Sequence, residues 1–449
     1  MKKNALVIGM AKSGIASAKL LCEQGYHVRI SDRRTKEELG DTLCPLAGLD
    51  IEDRLGESPQ DLLDGIELVV VSPAVPQYNE GIVAAKARGI EVIGEIELGY
   101  RYTRGTLVAI TGTNGKTTTT ALSGRMFEDA GRTTYTLGNI GVPITSRALL
   151  TKPGDVIVAE VAGFQLESTV SFRPHVCVFQ NITEDHLDRF GTMEAYIASK
   201  LHIFKNQKEN DFAVLNYDDA RVRTFSAHTK ARTLYFSRKT EVQQGAFLKD
   251  GVILFRLNGK EVRVCRADEI RIKGTHNLEN ALGAICAGMV MGLNEANIRR
   301  TMMTFEGVEH RIEFIKEIGG VCFINDSKAT NPDSTLKAIE AMDRPTVLIL
   351  GGYDKKNDFT PLFEAFTQNI CAVVAIGDTK ERILQAAKNT GFLEIHTADT
   401  FEEAVLKCFE LAHPGYNILL SPACASYDMF TNFEQRGEIF KQIVLSIGR

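Results

Sequence analysis

The stretch Thr111-Gly112-Thr113-Asn114-Gly115-Lys116-Thr117 predicts the site around which the rest of the chain is organised. Residues 107–110 before it are apolar and partly β-branched, and the residues after it place apolar side chains at helical spacing. The glycines therefore lie at a strand-to-helix turn, where free backbone amides and the positive end of the helix dipole point at a bound anion. A lysine adds a formal charge, and a threonine hydroxyl can hold Mg²⁺. The pattern predicts a site for a nucleoside triphosphate.

The loop is shorter than the usual phosphate-binding loop, which has about four residues between its glycines. Gly112 and Gly115 enclose only Thr113 and Asn114. An ordinary glycine-rich turn with a chance lysine is the alternative interpretation. The strand before the loop, the helix after it and the Lys116-Thr117 pair favour the phosphate site, because they supply the context that the motif needs.

The composition indicates an ordinary globular protein of about three domains, because the 449 residues are 44% hydrophobic and 24% charged. A net charge of -5 argues against a broad nucleic-acid-binding face. The basic N-terminus is followed by a short apolar run that ends at a turn, which predicts a first strand and not a signal peptide. No apolar stretch approaches the roughly 20 residues that span a bilayer. We therefore expect a cytoplasmic protein, with its nine cysteines reduced and mostly in the core.

The first region has the pattern of a Rossmann-like unit. Residues 5–8 form a predicted strand, 9–14 a glycine-rich turn, 15–24 a helix and 26–30 a second strand that ends near Asp32. Ala11 stands where a dinucleotide fingerprint has glycine, so a nucleotide site and a purely structural turn both stay open. A strand at 68–71 then leads into Ser72-Pro73-Ala74, a loop at a strand's carboxyl end, where the ligands of such sheets bind.

The middle region brings polar residues to the ends of its predicted strands. The strand ending at Glu160 places a carboxylate beside the phosphate loop, where it can hold Mg²⁺, although a solvated acid at a strand end is the alternative. The strand 176–179 delivers Asn181-Ile182-Thr183-Glu184-Asp185-His186-Leu187-Asp188 to the same edge. This cluster suits a metal or a positioned water, but the pattern does not say which residue binds. Lys200, on a predicted helix, is by itself expected to be a surface lysine.

Later patterns complete the predicted architecture. Residues 251–255 and 261–264, joined by an Asn-Gly turn, predict a small antiparallel hairpin. Asn277 and Asn280 open an apolar helix and lie three residues apart, so they can face the same side. The last third alternates strands and helices, which predicts a second doubly wound domain. The predicted fold is α/β with three domains: an N-terminal Rossmann-like domain (1–97), a central ATPase domain of the P-loop type with a parallel sheet and a small antiparallel element (98–306), and a C-terminal Rossmann-like domain (307–449).

Taken together, the motifs resemble those of the Mur ligases in order and spacing, and the resemblance covers the whole chain. The motifs are the phosphate loop, Gly138-Asn139-Ile140-Gly141, Thr183 to Asp188, His276-Asn277-Leu278-Glu279-Asn280, His310-Arg311 and Asp326-Ser327-Lys328-Ala329-Thr330-Asn331. The ending, Ser421 to Asp428 with Phe433-Glu434-Gln435-Arg436-Gly437, looks most like the branch that adds D-glutamate. Such enzymes phosphorylate a substrate carboxylate with ATP and let an amine displace the phosphate. Phosphorylation is needed because a carboxylate oxygen is a poor leaving group.

The resemblance implies ATP, two Mg²⁺ sites, UDP-N-acetylmuramoyl-L-alanine and D-glutamate as ligands, and a monomer without nucleic-acid or membrane partners. It implies catalytic roles for Lys116, Lys200, His186 and Glu160. The implied ATP-binding residues are Gly112, Thr113, Asn114, Gly115, Lys116, Thr117, Thr118, Asn277, Asn280, Arg311, Asp326 and Lys328. The implied metal ligands are Thr117, Glu160, His186 and a carbamylated Lys200. The implied UDP-substrate residues are Lys12, Ser13, Asp32, Arg33, Arg34, Ala74, Asn139 and His186, and the implied D-glutamate residues are Thr330, Lys355, Ser426 and Phe433.

The chain departs from the family pattern at two places. Ala162-Gly163 stands where two serines are usual, which puts a hydroxyl contact there in doubt. Ala11 and Ala74 replace common glycines of the UDP site. Three other classes fit the residues less well. Folate polyglutamate ligases share the phosphate loop but do not account for the first domain, and Ala11 disfavours a nicotinamide oxidoreductase. The absence of a membrane segment or repeat in the sequence disfavours a nucleotide-binding switch or transport ATPase without covalent chemistry.

Overall fold

The computed structural model describes residues 3–447, except for the side chain of Asp188. These residues form an α/β protein built on three sheets. The chain divides into two compact units: the first extends through Arg271 and includes Glu279–Phe305, and the second comprises Ile272–Leu278 and the chain from Glu306 onward. The α/β architecture with three sheets confirms the predicted fold class.

The first sheet has five parallel strands in the order β3-β2-β1-β4-β5. Its strands are β1 (Asn4–Ile8), β2 (His27–Ser31), β3 (Ile51–Asp53), β4 (Leu68–Val71) and β5 (Glu91–Gly94), and its helices are α1 (Lys12–Glu23), α2 (Lys36–Leu39), α3 (Glu80–Ala87) and α4 (Glu95–Tyr102). Strand β4 is buried along its whole length, which explains its unbroken apolar sequence. The predicted strands and helices of this region are present within a few residues of the expected limits.

The turn after β1 depends on glycine. Gly9 has φ +92°, and a Cβ on Gly14 would lie 1.8 Å from the Gly9 carbonyl oxygen. The Ser72 hydroxyl donates to the same oxygen at 2.6 Å. These contacts join the start of α1 to the ends of β1 and β4, which is the edge of the sheet where the sequence predicted a ligand.

The second sheet has nine strands in the order β14-β13-β12-β11-β10-β9-β6-β8-β7. Its strands are β6 (Thr106–Thr111), β7 (Thr134–Gly138), β8 (Val156–Glu160), β9 (Val176–Phe179), β10 (Phe212–Asn216), β11 (Arg232–Ser237), β12 (Gly245–Lys249), β13 (Val252–Leu257) and β14 (Lys260–Arg266). Its helices are α5 (Lys116–Asp129), α6 (Gly163–Leu166), α7 (Leu187–Phe190), α8 (Met193–Leu201), α9 (Thr275–Val290) and α10 (Glu295–Thr304).

The predicted hairpin is β13 with β14, and these strands pair antiparallel around Asn258 and Gly259. Both turn residues have positive φ, +52° and +77°, as a two-residue hairpin turn of this kind requires. The antiparallel strands are not a separate sheet, because β12 pairs in parallel with β11 and so extends the central sheet.

The third sheet lies in the second unit and has the order β15-β16-β20-β17-β18-β19. Its strands are β15 (Glu313–Ile318), β16 (Val321–Asn325), β17 (Thr346–Gly351), β18 (Ile370–Ile376), β19 (Ile395–Thr397) and β20 (Asn417–Leu420), and its helices are α11 (Pro332–Glu340), α12 (Thr360–Glu364), α13 (Lys380–Thr390), α14 (Phe401–Leu411) and α15 (Phe433–Ser446). Apolar clusters cover both faces, as in a doubly wound domain. The sequence did not predict β15, a charged edge strand that runs antiparallel to β16.

Two other expectations concern the whole chain. Among residues 3–447, no helix has both the length and the apolar content needed to cross a membrane. All nine cysteines are free. Most are buried as expected, but Cys44 is exposed, so the core interpretation is wrong for that residue.

Candidate active site

The phosphate loop joins β6 to α5 as the sequence predicted. Gly115 precedes the helix with φ +82°, a left-handed conformation that favours glycine, and Lys116 is the first helical residue. A Cβ on Gly115 would lie 2.1 Å from Oδ1 of Asn280, so any side chain added there would force the Asn280 side chain of α9 to shift. The first-turn amides of a 14-residue helix therefore face the end of β6, where an anion can bind.

Asn181, which follows β9, braces this loop. Its Oδ1 accepts the Asn114 amide at 2.8 Å, its Nδ2 donates to the Asn114 carbonyl at 3.0 Å, and its own carbonyl accepts the Thr113 amide at 3.0 Å. The Thr113 hydroxyl also accepts the Thr183 amide at 3.0 Å. The sequence places Asn181 at this edge of the sheet but does not predict its role, because a single asparagine at a strand end carries no signal of what it contacts.

Two lysine ammonium groups converge on the Gly112 carbonyl oxygen. Lys116 Nζ donates to it at 3.0 Å and also to the Thr113 carbonyl at 2.7 Å, while Lys200 Nζ donates to Gly112 at 2.8 Å. Lys200 is 1% exposed, so the surface lysine expected from its helix alone is wrong. Burial and the nearby charge of Lys116 hold the pKa of Lys200 well below its ordinary value, although Asp185 and Glu160 oppose that shift.

Glu160 is also buried, so the alternative of a solvated acid at a strand end is wrong. Its Oε1 accepts Asn139 Nδ2 at 2.9 Å, and its backbone carbonyl accepts the Asn139 amide at 2.9 Å. Within residues 3–447, Glu160 Oε2 is buried and has no hydrogen-bond partner. A buried carboxylate oxygen of this kind is poorly satisfied without a cation.

A carboxylate and a hydroxyl suit Mg²⁺, which prefers hard oxygen ligands and completes its shell with phosphate oxygens and water. Glu160 and the Thr117 hydroxyl at the start of α5 would supply oxygen atoms. The part of the chain that the structure describes contains no group of three His, Cys, Asp or Glu residues able to hold a metal by themselves. A cation at this place would therefore depend on ligands from a bound phosphate, as in other phosphate-loop sites.

His186 lies on a strained piece of backbone at the start of α7. It has φ +54°, and its Nε2 is 3.7 Å from Asp185 Oδ2. Its ring packs edge-on against Phe164 with centroids 5.9 Å apart and lies 6.4 Å from the Tyr196 ring. Because Lys200 Nζ lies 4.8 Å from the same tyrosine ring, the histidine and the lysine share one wall of the site.

Within the departure at Ala162-Gly163, the glycine has a local explanation, and nothing in the structure explains the alanine. A Cβ on Gly163 would lie 2.5 Å from Ser199 Oγ and 3.3 Å from Lys200 Cγ. A side chain at 163 would therefore displace the Ser199 hydroxyl, which donates to the Tyr196 carbonyl at 2.7 Å. In this chain a serine one residue before Lys200 occupies the space that a side chain at 163 would need.

Five of the residues expected at the UDP site line two clefts. Asp32, Arg33, Arg34 and Ala74 line a cleft of about 860 Å³, whereas Lys12 lines a second of about 610 Å³. Burial opposes ionisation of Asp32, but hydrogen bonds from Arg34 and from the Met10 amide hold its pKa below the usual value. Among residues 3–447, Ser13 does not line either of these two clefts.

Arg189, to which the sequence assigned no role, connects the first cleft to the central site. Its Nη1 donates to the Pro73 carbonyl at 2.8 Å and its Nη2 to Glu167 Oε2 at 3.2 Å, while its guanidinium lies 5.1 Å from the Phe164 ring centroid. The Ser72-Pro73-Ala74 loop is thereby held against the ring that packs on His186.

The second unit contains most of the remaining residues that the sequence predicts for the ATP site. Asp326 is fully buried beside Arg311, with a closest approach of 3.7 Å, and accepts the Ser421 hydroxyl at 2.7 Å. Burial raises the pKa of Asp326 to about 6. Lys328 Nζ lies 4.2 Å from the Phe433 ring centroid. Asn277 also belongs to this unit, and its Nδ2 donates to the Lys273 carbonyl at 2.8 Å, whereas Asn280 belongs to the first unit.

The residues predicted to bind D-glutamate lie on loops of this unit. The Tyr353 amide donates to the Ala425 carbonyl at 2.9 Å, which holds the loop of Lys355 beside the loop of Ser426. Ser426 is buried, Thr330 and Phe433 are half-buried and Lys355 is exposed.

The loop between β6 and α5 and the Rossmann-like sheets define the class: a nucleotide-binding α/β enzyme that handles phosphate. The chain belongs to the Mur ligase family. Family models match residues 3–94 (Mur ligase MurD-like, N-terminal domain), 110–288 (Mur ligase middle domain) and 310–424 (Mur ligase, glutamate ligase domain).

Curated relatives match from end to end. A protein of Alkaliphilus oremlandii named UDP-N-acetylmuramoylalanine--D-glutamate ligase is 46% identical, covering 100% of this chain and 99% of its own. A protein of the same name from Clostridioides difficile is 43% identical, with 98% of both chains covered. Both alignments therefore extend over nearly the full length of this chain and of the relative.

Solved structures share the fold at low sequence identity. UDP-N-acetylmuramate-alanine ligase MurC from Thermotoga maritima matches with a TM-score of 0.61 at 19% identity, covering 99% of this chain and 100% of its own. MurF from Acinetobacter baumannii matches with a TM-score of 0.62 at 18% identity, covering 98% and 93%. At these identities the likeness supports the fold alone.

Gly115→Ala tests the close packing of the phosphate loop. We expect the variant to lose about 1–2 kcal/mol of unfolding free energy from the left-handed backbone and about 1–3 kcal/mol more from the contact with Asn280. Gly131→Ala is the matched control, because Gly131 has φ +77° but open space around its Cβ position. Urea unfolding followed by circular dichroism measures both variants. Equal losses in the two would contradict the packing argument.

Lys200→Met tests whether the charged form of the buried Lys200 lowers the unfolding free energy of the protein without ligands. The folded-state pKa lies below the ordinary 10.5, so between these two values the unfolded chain binds more protons and wild-type stability rises with pH. The variant lacks this cost, so it should be more stable than the wild type near pH 7, by a margin that shrinks toward pH 10. Urea unfolding in CO₂-free buffer measures the margin, with the exposed Lys208→Met as control. A less stable Lys200→Met protein at neutral pH would refute the argument.

Proposed function

We propose that this chain is an ATP-dependent amide ligase that adds D-glutamate to UDP-N-acetylmuramoyl-L-alanine in peptidoglycan precursor synthesis, releasing ADP and phosphate. The observation that carries the proposal is the phosphate loop in which Lys116 and the buried Lys200 converge on the Gly112 carbonyl. The full-length relatives named for this reaction support the choice of substrates.

The first half of the reaction is transfer of the γ-phosphoryl group to the carboxylate of the alanyl substrate. Lys116 and the first-turn amides of α5 neutralise phosphate charge that shifts during transfer. Lys116 now donates to two carbonyls of its own loop, so binding of phosphate would exchange those contacts for a charge-assisted one. Thr117 and Glu160 would hold Mg²⁺, which supplies further positive charge to the phosphate oxygens.

Lys200 is proposed to carry a carbamate. A neutral amine attacks CO₂, forms an N–C bond and releases one proton, which leaves a carboxylate in place of a cation. The low pKa of Lys200 favours the neutral amine that this reaction needs, and burial protects the product from water. The carbamate would stand near Glu160 and His186 and, with His186, would help to hold a second Mg²⁺. It would also relieve the repulsion from Lys116.

The two substrates are proposed to bind at opposite ends of the chain. The cleft with Asp32, Arg33, Arg34 and Ala74 would take the uridine diphosphate, with Lys12 and Ser13 at the start of α1 and Asn139 and His186 toward the alanyl end. Thr330, Lys355, Ser426 and Phe433 would bind D-glutamate, and Lys328, Arg311, Asp326, Asn277 and Asn280 would line the ATP site together with Thr113, Asn114 and Thr118. The ammonium group of Lys355 suits a dicarboxylate such as D-glutamate, because it can donate charge-assisted hydrogen bonds to a carboxylate.

The domain limits 1–97, 98–306 and 307–449 form part of the proposal. We also propose that the enzyme acts as a monomer, because one chain supplies every group that the reaction needs. Light scattering of the purified protein at assay concentration measures this directly.

The substrate assignment predicts strict dependence on both acceptors. ADP should form only when UDP-N-acetylmuramoyl-L-alanine and D-glutamate are both present. Lys116→Ala should reduce turnover at least ~100-fold, in line with the loss of one group that stabilises transferring charge. Its affinity for the UDP substrate should stay within about twofold, because that substrate's cleft is elsewhere. Coupled ADP assays and calorimetric titration provide the two measurements. Turnover with L-lysine or meso-diaminopimelate in place of D-glutamate would move the chain to another Mur ligase activity.

The carbamate predicts a requirement for CO₂. Wild-type activity should fall when bicarbonate is stripped and recover when it returns, and ¹³C-labelled CO₂ should give a carbamate carbon signal that Lys200→Ala lacks. Lys208→Ala should keep both the signal and the bicarbonate response. A labelled wild-type protein without a carbamate signal would rule out this modification.

A further inference from the structure

Arg436, in the first turns of α15, is the largest of the fully buried side chains in the described part of the protein, with 1% exposure. No carboxylate pairs with it among residues 3–447; its donors go to oxygen atoms of two loops. Nε donates to Ser327 Oγ at 2.9 Å, Nη2 to the Ser327 carbonyl at 2.7 Å and to the Cys424 carbonyl at 3.1 Å, and Nη1 to the Ala425 carbonyl at 3.3 Å.

A third loop packs on the same guanidinium. Gly352 has φ +148°, and a Cβ there would lie 3.3 Å from Arg436 Nη1 and 2.4 Å from the Ala425 carbonyl oxygen. The three loops that meet at Arg436 therefore begin near Ser327, Gly352 and Cys424. Each is followed within a few residues by a proposed D-glutamate residue, namely Thr330, Lys355 and Ser426, and α15 itself begins with the fourth, Phe433.

Burying Arg436 in this way lowers the stability of the fold, which indicates that the residue is kept for function. A buried cation without a paired anion costs free energy, and an apolar side chain of similar size would fill the same space at lower cost. The burial lowers the pKa of Arg436 to about 10, against the opposing influence of Cys424, Asp428 and Asp326. The planar guanidinium offers several donors in fixed directions, so it can bind carbonyls of separate loops at once, which lysine cannot.

We propose that Arg436 is a positioning residue that fixes the three loops of the D-glutamate pocket and, by its buried positive charge, favours a dicarboxylate amino acid there. The inference rests on the proposed function. Arg436 does not itself contact the amino acid, because its donors are engaged by the loops. The Ser327 hydroxyl extends the same support, since it donates to the Phe433 carbonyl at 2.8 Å and so joins the Lys328 loop to α15.

The test is Arg436→Lys, which keeps a positive charge but loses the directed donors. We expect the KM for D-glutamate to rise about tenfold, with KM for ATP and for the UDP substrate within about twofold of wild type. A purely structural role would instead lower the melting temperature and the active fraction without separating the three KM values. Arg344→Lys is the matched control, because Arg344 lies in the same unit, is partly exposed and pairs with Glu317. It should leave all three KM values unchanged.

Ser327→Ala provides a second measurement if Arg436→Lys does not fold. It removes one acceptor of Arg436 and one link to Phe433, and it should raise the KM for D-glutamate severalfold with ATP unaffected. An unchanged D-glutamate KM in the folded variant, or an equal rise in all three values, overturns the inference. A wild-type protein without D-glutamate-dependent ADP release would overturn the proposed function itself, so the two failures are distinguishable.

Discussion

The convergence of two lysines on one carbonyl oxygen is the constraint on which the site depends. Lys116 must be charged to bind phosphate, and Lys200 is buried within reach of its field. Burial disfavours the charged form of Lys200, and the nearby charge of Lys116 adds to that effect, so the pKa of Lys200 is held well below its ordinary value. The loop contributes the second cause, because both side chains reach the Gly112 carbonyl. A neutral amine in a closed site is a nucleophile, and that chemistry is what the proposed carbamate uses.

The order of strands explains how the loop is held in this form. In the central sheet β6 lies between β9 and β8, so the phosphate loop emerges between the segments that follow these two strands. Asn181, after β9, binds the loop backbone on one side. Glu160, which ends β8, lies on the other side and is oriented by Asn139. Because parallel strands direct their carboxyl ends to one edge, residues far apart in sequence reach one phosphate site without any long insertion.

Much of this organisation could be predicted from the sequence, because it depends on local patterns. The glycine spacing, the flanking strand and helix and the Asn-Gly hairpin are local, and the structure has them where expected. The burial of Lys200 could not be predicted from its helix, because a helical pattern gives a face but not what packs on it. Asn181 and Arg436 stand in stretches that the sequence analysis singles out, but their roles could not be predicted, since these depend on backbone atoms of distant loops. The apolar residues of the edge strand β15, Phe314, Ile315 and Ile318, do not alternate with its charged residues, so the strand does not stand out by its pattern.

The residues that sequence reasoning missed share a physical reason. Loops that carry functional groups leave the sheet and lose the ladder of hydrogen bonds that satisfies strand backbones. Their carbonyls and amides must then find other partners, and in this protein side chains provide them: Asn181 for the phosphate loop, Arg189 for the Pro73 loop and Arg436 for the amino-acid loops. A side chain that binds backbone is insensitive to the residue types it touches, so no sequence pattern marks the pair. Such anchors have to be found from geometry, and a residue whose hydrogen bonds all go to functional loops is a candidate even when it touches no ligand.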